Sequence, residues 1–474
     1  MKRVIELHGL FDQRCSGFGR IGLLLTLPFV LIIAFAAYQL FFIPTPEVKG
    51  IEAFNYLSAD KTIKFNGENI ESIEISISQD GRKFDLLKDT PQTKSKSYSL
   101  QIKPKIIGTK DGKARITIMA KAGMIKKARY DIEAVIDTTP PEIDVVAAPQ
   151  FIYPGTGAFS ILKASGEDSV FIKLADKARS TDDKTFKAFK MSSGPDSKDS
   201  SSGQSESATQ RSTGQAGNIY YVFFPAAYDI DEGSIFYAVA TDMAGNRSIK
   251  TLPTKIKITK YSASSINIDD AFIKRVVSPL LNETNISDTA QAFKKVNEEL
   301  RQQSLNKLLE IAQQTEPKVL WEGNFIQLKN SKVMATYGDR RTYLYNGTPI
   351  SKSVHLGYDL ASVEKAPVEA SNTGIVKYAG DLSIYGNTVI IDHGLGFMSI
   401  YGHLSAIMVN EGQKVSKGEI IAKSGATGLA GGDHLHFGLL MHGYEVSPLY
   451  WWDPHWIQVN VTDLIQQERA NLSY

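Results

Sequence analysis

The sequence predicts a mainly β protein with an α-helical section and with an N-terminal transmembrane helix before its β modules. Short runs that alternate apolar and polar residues, typical of half-buried strands, recur through residues 48–262. An uncharged apolar run occupies residues 21–43, and a helical spacing replaces the alternation between residues 268 and 315. With 474 residues the chain exceeds the usual size of one core, so we expect several domains.

The charge balance of the chain argues against nucleic acid as a partner. The sequence has 53 basic and 51 acidic residues, so no strong global field would draw it to an anionic polymer. The only cysteine, Cys15, precedes the apolar run, and the rest of the chain therefore cannot form an intramolecular disulfide. We expect the domains to be stabilised by packing alone and to recognise partners at local sites.

Residues 21–43 predict a helix that spans the membrane once, because about 20 apolar helical residues cross a hydrocarbon core. Four basic residues precede this run: Lys2, Arg3, Arg14 and Arg20. The positive-inside rule then predicts a cytoplasmic N-terminus over residues 1–20 and a periplasmic remainder. A cleaved signal peptide is the alternative, but its apolar core would be about 7–15 residues long and would end in a small-x-small site. The stretch FFIPTPEV offers no convincing site of that kind.

Two β modules are predicted next, over residues 48–140 and 141–262. Runs such as SIEISIS and ARITIMA in the first, and VFIKLA and SIFYAVAT in the second, are separated by turn signals. The prolines of DTTPPEI end the first module, because proline cannot continue a ladder of backbone hydrogen bonds. The phrases TTPP and ATDMAGNRS resemble the ends of bacterial immunoglobulin-like repeats. The resemblance implies Ig-like β-sandwiches that serve as spacers or binding modules.

A polar insertion at residues 191–217 interrupts the second module, and we expect it to be disordered. It is dominated by Ser, Gly, Asp, Lys and Gln, and is too polar to offset its ordering entropy by burial. A tolerated surface insertion is the simplest interpretation. A phosphorylation site or a sugar-binding site is the alternative.

Residues 263–320 form the predicted helical section. Five apolar residues near a 3.6-residue spacing mark one helix face: Phe293, Val296, Leu300, Leu308 and Ile311. Ser287 or Asp288 is available as the N-cap, and charged residues such as Arg301 are predicted to form the solvent face. The helix could pack on a neighbouring β module, act as an arm, mediate dimerisation or cover a functional groove.

The histidines are concentrated at the C-terminal end, which indicates a site that needs imidazole. Seven of the eight lie between His355 and His455. His355 and Asp359 stand in SVHLGYDLAS, His403 stands in SIYGHLS, and His434 and His436 stand in GGDHLHFGLL. One residue separates the last pair in a β pattern, so both rings point to the same face of one strand.

These residues match the needs of a catalytic zinc ion, which usually takes three protein ligands from His and carboxylate and leaves a fourth position for water. His355, Asp359 and His436 supply that set. Two neutral imidazoles and one carboxylate leave a net positive charge, which lowers the pKa of the bound water towards about 7. His403 and His434 remain unligated, and we expect them to transfer protons and to stabilise the oxyanion.

The joint order of the motifs resembles that of the lysostaphin and LytM family of zinc metallopeptidases, with H-x-x-x-D, Y-x-H-L, G-x-T-G and H-L-H-F. The matching stretches are VHLGYDLA, PVEASNTGIVKYAG, YGNTVIIDHGLGFMSIYGHLS, EGQKVSKGEIIAKSGATG and GDHLHFGLL. They cover about residues 336–448, within a LytM-type peptidase domain that we place at residues 321–450, followed by a tail at 451–474. The resemblance implies a small antiparallel β fold with the metal at the base of a groove.

The resemblance also assigns the site residues and the substrate. It places the zinc ligands at His355, Asp359 and His436 and the catalytic histidines at His403 and His434, in agreement with the spacing argument. It implies peptide cross-links of peptidoglycan as the substrate.

The sequence departs from the family pattern at the rim of the groove. Ala430, Gly431 and Asp433 stand where many relatives have a Ser-Thr-Gly-Pro type of turn, and Gly438 stands where Glu is frequent. We expect these positions to affect substrate preference more than activity. Three further histidines are interpreted as turn, packing or surface residues: His393, His442 and His455.

The C-terminal run WWDPHW is interpreted as packing the tail onto the domain, with a sugar-stacking surface of Trp451 and Trp452 as the alternative.

The sequence therefore predicts a membrane-tethered zinc endopeptidase of the bacterial envelope. Its expected partners are the peptide stems of peptidoglycan, the inner membrane and, through the β modules or the helical section, other envelope proteins. Two functions from other classes remain open: a non-catalytic LytM-like regulator that activates wall amidases, and a structural envelope protein. The complete set of ligands and catalytic candidates argues against both.

Overall fold

The computed structural model describes residues 18–175, 184–191 and 217–472, with side chains from residue 28 to residue 470 inside these ranges. Of the insertion predicted to be disordered, only the two end residues, Met191 and Gly217, lie within the described part.

The chain divides into two compact units. Their ranges are Met1–Thr139 with Met243–Asn246 for unit 1, and Pro140–Asp242 with Arg247–Tyr474 for unit 2. The first division falls at the diproline segment, where a backbone ladder cannot continue.

An apolar helix, Phe18–Phe41, opens unit 1 and overlaps the anchor predicted at residues 21–43. Its described side chains begin at Pro28, and several of them, such as Phe29 and Phe41, are exposed. Within the residues whose side chains the structure describes, no helix is both long enough and apolar enough to cross a membrane. The transmembrane anchor and the periplasmic location stay predictions.

Two sheets of mostly antiparallel strands enclose the core of unit 1. Strand Ser72–Gln79 shows the alternation that builds this core, because it buries Ile73, Ile75 and Ile77. In spatial order, the three-stranded sheet contains Glu47–Lys49, Lys61–Glu68 and Lys96–Ile102. The five-stranded sheet contains Tyr56–Leu57, Lys126–Ile136, Gly112–Ala122, Ser72–Gln79 and Arg82–Asp89. Two short helical segments lie between strands, at Ile51–Phe54 and Pro104–Ile107.

The second module begins unit 2 with two four-stranded sheets around their own core. In spatial order, one sheet contains Phe189–Lys190, Asn218–Pro225, Gly157–Ser165 and Glu142–Ala147. The other contains Lys184–Lys187, Ser169–Ala175, Ile235–Thr241 and Arg247–Thr251, and a parallel pair joins Phe151–Ile152 to Lys255–Ile256. Both modules are β-rich, as the alternation predicts, whereas their Ig-like class stays a prediction.

The helical section consists of two helices, each with a π turn. The first contains Asp270–Phe272, Ile273–Val277 and Ser278–Leu281, and the second contains Thr289–Lys294, Lys295–Leu300, Arg301–Ile311 and Ala312–Gln314. The Asp288 side chain caps the second helix by accepting a hydrogen bond from Gln291 N at 2.9 Å. Phe293, Val296 and Leu308 are fully buried in a core that includes side chains of the C-terminal sheet.

The C-terminal domain is built on an eight-stranded antiparallel sheet. In spatial order it contains Lys332–Ala335, Tyr358–Ala361, Leu435–Met441, Phe397–Gly402, Asn387–Asp392, Gly374–Asp381 and Lys414–Val415, with Tyr444–Val446 beside Leu435–Met441. A three-stranded sheet contains Pro367–Glu369, Ile420–Lys423 and Ala406–Ile407. Another contains Ala263–Ile268, Arg340–Tyr345 and Thr348–Val354. Helical segments lie at Ser383–Tyr385, Leu449–Trp452, Pro454–Ile457, Gln458–Thr462 and Asp463–Leu472.

Alternation along the central strand Leu435–Met441 separates two cores. Phe437 and Leu439 point into the main core of the domain, whereas Leu440 points to the opposite face and joins the core of the helical section. His436 shares that second face by the same alternation. The helical section therefore covers part of the sheet face on which His436 lies.

The second module and the C-terminal domain share one core. The ring of Phe223 lies 5.4 Å from that of Phe397 and 5.9 Å from that of Trp451. Strand Asn218–Pro225 is buried on both faces, because Val222 and Phe224 point into the core of the module and Phe223 points towards the domain. This two-sided burial explains the continuous apolar run IYYVFFP.

We predict that Phe223→Ala destabilises the second module and the C-terminal domain together, by about 3–5 kcal/mol, because it removes a fully buried ring from their common core. Calorimetry should show one transition shifted to lower temperature. The control is Phe151→Ala, which removes a ring that is 44% exposed in the same module. Two separate transitions, of which only one moves, would contradict a shared core.

Candidate metal centre

The sheet register brings three distant sequence motifs to one place. Strand Tyr358–Ala361 pairs with Leu435–Met441 so that Asp359 lies opposite His436. Strand Phe397–Gly402 pairs with the other edge of Leu435–Met441, so that Gly402 also lies opposite His436. His403 directly follows Gly402. The backbone N–H of His355 donates to Asp339 O at 2.9 Å, which fixes the entry into strand Tyr358–Ala361. All five predicted site residues converge on this part of the sheet.

The three predicted ligands form a compact triangle of donor atoms. His355 Nε2 lies 2.9 Å from Asp359 Oδ1 and 3.2 Å from His436 Nδ1, and the latter two atoms are 3.2 Å apart. Zinc bonds of about 2.0–2.1 Å in a tetrahedron place neighbouring ligand atoms about 3.3 Å apart. The donor set and its spacing therefore fit a tetrahedral metal ion with one open position.

A hydrogen bond selects the tautomer of His355 that leaves its inward nitrogen free, and His436 also turns one nitrogen inward. His355 Nδ1 lies 3.0 Å from the carbonyl oxygen of Thr336, which accepts its proton and leaves the Nε2 lone pair for a metal. His436 turns Nδ1 towards the other ligands, while its buried Nε2 has no hydrogen-bond partner in the described part of the chain. The two imidazoles thus offer one lone pair each to the same point.

The two predicted catalytic histidines stand beside this triangle. His403 Nδ1 lies 2.8 Å from Thr427 O, and His434 Nδ1 lies 2.8 Å from Gly432 O. Both Nε2 atoms are left without that proton, and His434 Nε2 lies 3.4 Å from Asp359 Oδ1. The two rings are 4.8 Å apart. His403 has a left-handed backbone with φ of 62°, a strained conformation that often accompanies a functional site.

The electrostatics of the site keep the histidines ready to bind metal or to accept protons. Burial lowers the pKa of His403 to about 3 and that of His436 to about 4. Burial would also lower the pKa of His434, but the hydrogen bond and charge of Asp359 outweigh it and raise that pKa. Burial by itself would raise the pKa of Asp359, yet its close contacts with His355, His434 and His436 hold that pKa well below its usual range.

Arg341, which the sequence analysis did not select, holds the outer oxygen of the aspartate ligand. Its Nη2 donates to Asp359 Oδ2 at 3.2 Å and its Nε donates to Asp339 Oδ2 at 3.3 Å. Asp339 in turn accepts hydrogen bonds from the hydroxyls of Ser262 and Ser264, at 3.0 and 2.7 Å. This chain of contacts leaves Asp359 Oδ1 directed towards the histidines.

A buried acid and a tyrosine lie behind the ligand His436. The ring of Tyr385 lies 5.4 Å from the ring of His436, and its hydroxyl donates to Glu445 Oε1 at 2.7 Å. Glu445 is fully buried, and this burial raises its pKa to about 7. Neither residue was selected from the sequence. Glu445 lies outside the matching stretches, and Tyr385 begins one of them but is not part of the H-x-x-x-D, Y-x-H-L, G-x-T-G or H-L-H-F patterns.

Arg301 corrects the prediction for the helix. It was expected on the solvent face, but it is half-buried and lines the same pocket as His355, Asp359 and His403. Asn297, one helical turn earlier, is also buried, so a polar stripe accompanies the apolar face. The pocket has a volume of about 120 Å³, which is room for a few water molecules at about 30 Å³ each.

The rim positions that depart from the family pattern have defined roles. Ala430 and Gly431 line the pocket, and Asp433 braces the loop by accepting hydrogen bonds from Ser424 Oγ at 2.6 Å and Lys365 N at 3.0 Å. At Gly438 a Cβ atom would lie 2.9 Å from the side chain of Ile400. A glutamate at this position would therefore collide with the core beneath the helical section.

The other histidines and the tryptophan run lie away from the triangle. His393 is fully buried between Thr373 O and Ser399 Oγ, His442 contacts Phe223 O, and His455 is exposed. Trp451 is completely buried, so it cannot stack on a sugar. Packing of the tail is the correct interpretation for Trp451.

An antiparallel β domain with such a donor set is typical of one class of proteins, the metal-dependent peptidases. Residues 353–448 match the profile of Peptidase family M23. The C-terminal part of this chain is an M23 peptidase domain, and the resemblance seen in the sequence is confirmed.

Two curated relatives match this part of the chain. The protein named peptidoglycan DD-endopeptidase ShyA, from Vibrio cholerae, is 38% identical over 120 residues, which cover 25% of this chain and 27% of the relative. The DD-carboxypeptidase/endopeptidase Mpg of Neisseria meningitidis is 40% identical over 96 residues, or 20% of this chain and 22% of the relative. The chain spans about a quarter of the length of these relatives.

One solved structure aligns over a larger share of the chain. The crystal structure of a putative peptidase M23 from Pseudomonas aeruginosa covers 63% of this chain and 94% of that chain. Its sequence identity is 20% and the TM-score is 0.37.

We predict that Arg341→Met weakens zinc binding by about 10- to 100-fold, because Asp359 loses the partner of its outer oxygen. Competition with a chromophoric chelator would measure the affinity. Arg340→Met is the matched control, since that neighbouring side chain is exposed. Equal affinities of the two variants would rule out a positioning role for Arg341.

Proposed function

We propose that this chain is a zinc-dependent endopeptidase that hydrolyses the peptide cross-links of bacterial peptidoglycan. The observation that carries the proposal is the convergence of three ligand atoms within 3.2 Å, with two histidines beside them. The M23 profile match and the names of the relatives support the reaction and the substrate class.

Different residues of the site would bind the metal and transfer protons during peptide hydrolysis. His355, Asp359 and His436 would hold Zn²⁺, which when bound supplies a Lewis acid and lowers the pKa of its water. His403 donates its Nδ1 proton to a carbonyl and keeps a lone pair on Nε2, so it can accept a proton. Asp359 raises the pKa of His434, so His434 can carry a second proton on Nε2 and donate it to the oxyanion. Protonation of the leaving amine then returns the accepted proton to the product.

The location and partners belong to the proposal as well. The apolar helix Phe18–Phe41 and the basic residues before it support a tether in the inner membrane, with a cytoplasmic N-terminus and the bulk of the chain in the periplasm. In that location the domain would meet the peptide stems of the wall.

One hypothesis from the sequence is that the helix of the helical section covers the catalytic groove. Deleting this helix would not test that hypothesis. The helix buries Phe293, Val296 and Leu308 in the core it shares with the C-terminal sheet, so its removal would expose that sheet face and destabilise the domain. Point substitutions on the pocket side of the helix, such as at Arg301, test whether it obstructs the groove without removing its buried apolar side chains from the core.

We predict that the purified chain binds about one zinc ion per molecule, because the described residues contain one set of three closely spaced ligands. His355→Ala should lose this zinc, since only two ligands would remain. Atomic absorption measures the content, and His455→Ala, which alters an exposed histidine, is the control. A zinc-free wild-type chain would favour a regulatory or structural function.

We further predict that His403→Ala retains zinc but loses at least about 100-fold in the release of peptides from cross-linked peptidoglycan, because a proton-transfer group is missing. Mass spectrometry of the soluble products would also identify the bond that is cut. If the zinc-loaded wild type released no product, yet stimulated a wall amidase, the regulator would replace the enzyme.

A further inference from the structure

The pocket of the metal centre contains one guanidinium without an acidic partner. Arg301 lines this pocket, and its side chain forms an ion pair with no carboxylate of the described residues. Arg341, the other arginine of the pocket, differs because Asp339 and Asp359 both accept from it. The positive charge of Arg301 is therefore available to a ligand.

The orientation of Arg301 is fixed by the protein. Its Nε donates to Asn297 O at 3.1 Å and its Nη2 donates to Asn297 Oδ1 at 2.9 Å. Asn297 is 1% exposed, and its own Nδ2 donates to Ser351 Oγ at 2.8 Å and Lys352 O at 3.1 Å. A guanidinium has five N–H donors, so this arrangement uses two of them and leaves three without a partner among the described residues.

The charges around the pocket favour an anionic ligand group. With a divalent ion bound, the two carboxylates of Asp359 and Asp339 neutralise Arg341 and one of the two charges of the ion. The pocket then keeps a net positive charge, and Arg301 increases it. Glu445 is the acidic group whose charge interacts with Arg301, and its burial raises its pKa to about 7, which leaves it only partly ionised near neutrality. A fixed guanidinium of this kind binds a carboxylate through parallel hydrogen bonds.

We propose that Arg301 is a specificity-determining residue that binds a free carboxylate of the substrate peptide next to the scissile bond. The inference rests on the proposed function and narrows its substrate class to cross-linked peptides that carry such a carboxylate. The residue comes from the helical section and lies outside the M23 match, so this preference depends on how the helix is seated on the domain.

The test compares two forms of one substrate with the zinc-loaded full-length protein. The probes are a cross-linked dimer of wall stem peptides with free carboxyl groups and the same dimer with these groups converted to carboxamides. Wild type should have the higher kcat/KM for the acid. Arg301→Met should lower that kcat/KM roughly 10-fold or more, mainly through KM, because a charged hydrogen bond is lost, and should leave the amide unchanged.

Two further variants separate recognition from stability and from general charge. Arg301→Lys keeps the charge but cannot form the paired hydrogen bonds, so its preference for the acid should be intermediate. It also keeps the test informative if the methionine variant does not fold. Arg340→Met is the matched control, because that side chain is exposed and does not line the metal pocket, so its loss should leave the preference intact.

Binding of the two dimers to the metal-free protein gives a readout that needs no catalysis. Calorimetry should show tighter binding of the acid by wild type and equal binding of both forms by Arg301→Met. An unchanged acid-to-amide ratio in the Arg301 variants would overturn the inference while the peptidase activity stands. Equal activation of both substrates by Arg301→Met would also overturn it, since Arg301 would then obstruct the groove. Absence of hydrolysis by wild type would count against the proposed function, and the binding ratio would still decide the role of Arg301.

Discussion

The buried carboxylate of Asp359 is the interaction on which the site depends. An isolated charge at this depth would be costly, and it is tolerated because histidines on one oxygen and an arginine on the other stabilise the ionised form. The same contacts bring two histidine nitrogens within about 3 Å of one oxygen, the spacing that a tetrahedral ion requires. The geometry for metal binding and the electrostatic stability of the fold therefore have one cause.

This carboxylate connects the metal centre to parts of the chain outside the peptidase motifs. Arg341 links it to Asp339, and the two serines that fix Asp339 belong to the segment between the second β module and the helical section. A displacement of that segment would move the aspartate ligand through three hydrogen-bonded steps. Because the second module shares an aromatic core with the domain, unit 2 supports the site as one body.

The three residues of the donor triangle could be selected from the sequence because the patterns that mark them are local. A spacing of four places His355 just before the strand that carries Asp359. A spacing of two aims His434 and His436 at one face at the start of strand Leu435–Met441. The outer partner Arg341 alternates with Asp339 along the chain, a signal that is visible but common in exposed strands. Its meaning depends on a contact with Asp359, which only the folded structure shows.

Arg301 shows where sequence reasoning reaches its limit. A charged residue on an amphipathic helix is assigned to solvent by default, and the apolar positions around it do predict the helix and its buried face correctly. What they cannot predict is that Asn297 and Arg301 follow the edge of that face and meet a polar pocket instead of water. The helix face that packs on the sheet has an apolar part and a polar edge, because the sheet beneath it is apolar at Ile400 and polar at His436.

The boundaries of the site therefore differ from the boundaries of the M23 match. Residues 353–448 contain the three predicted ligands and both predicted catalytic histidines, but Arg341, which holds Asp359, and Arg301, which lines the same pocket, both lie before them. A domain cut at the family limits would keep the metal donors and lose the groups that position and surround them. The loss would also uncover Ile390, Met398 and Leu440, which the helical section buries. The helical section is thus part of the wall of the pocket as well as part of the core, and a change in its seating would alter specificity and stability together.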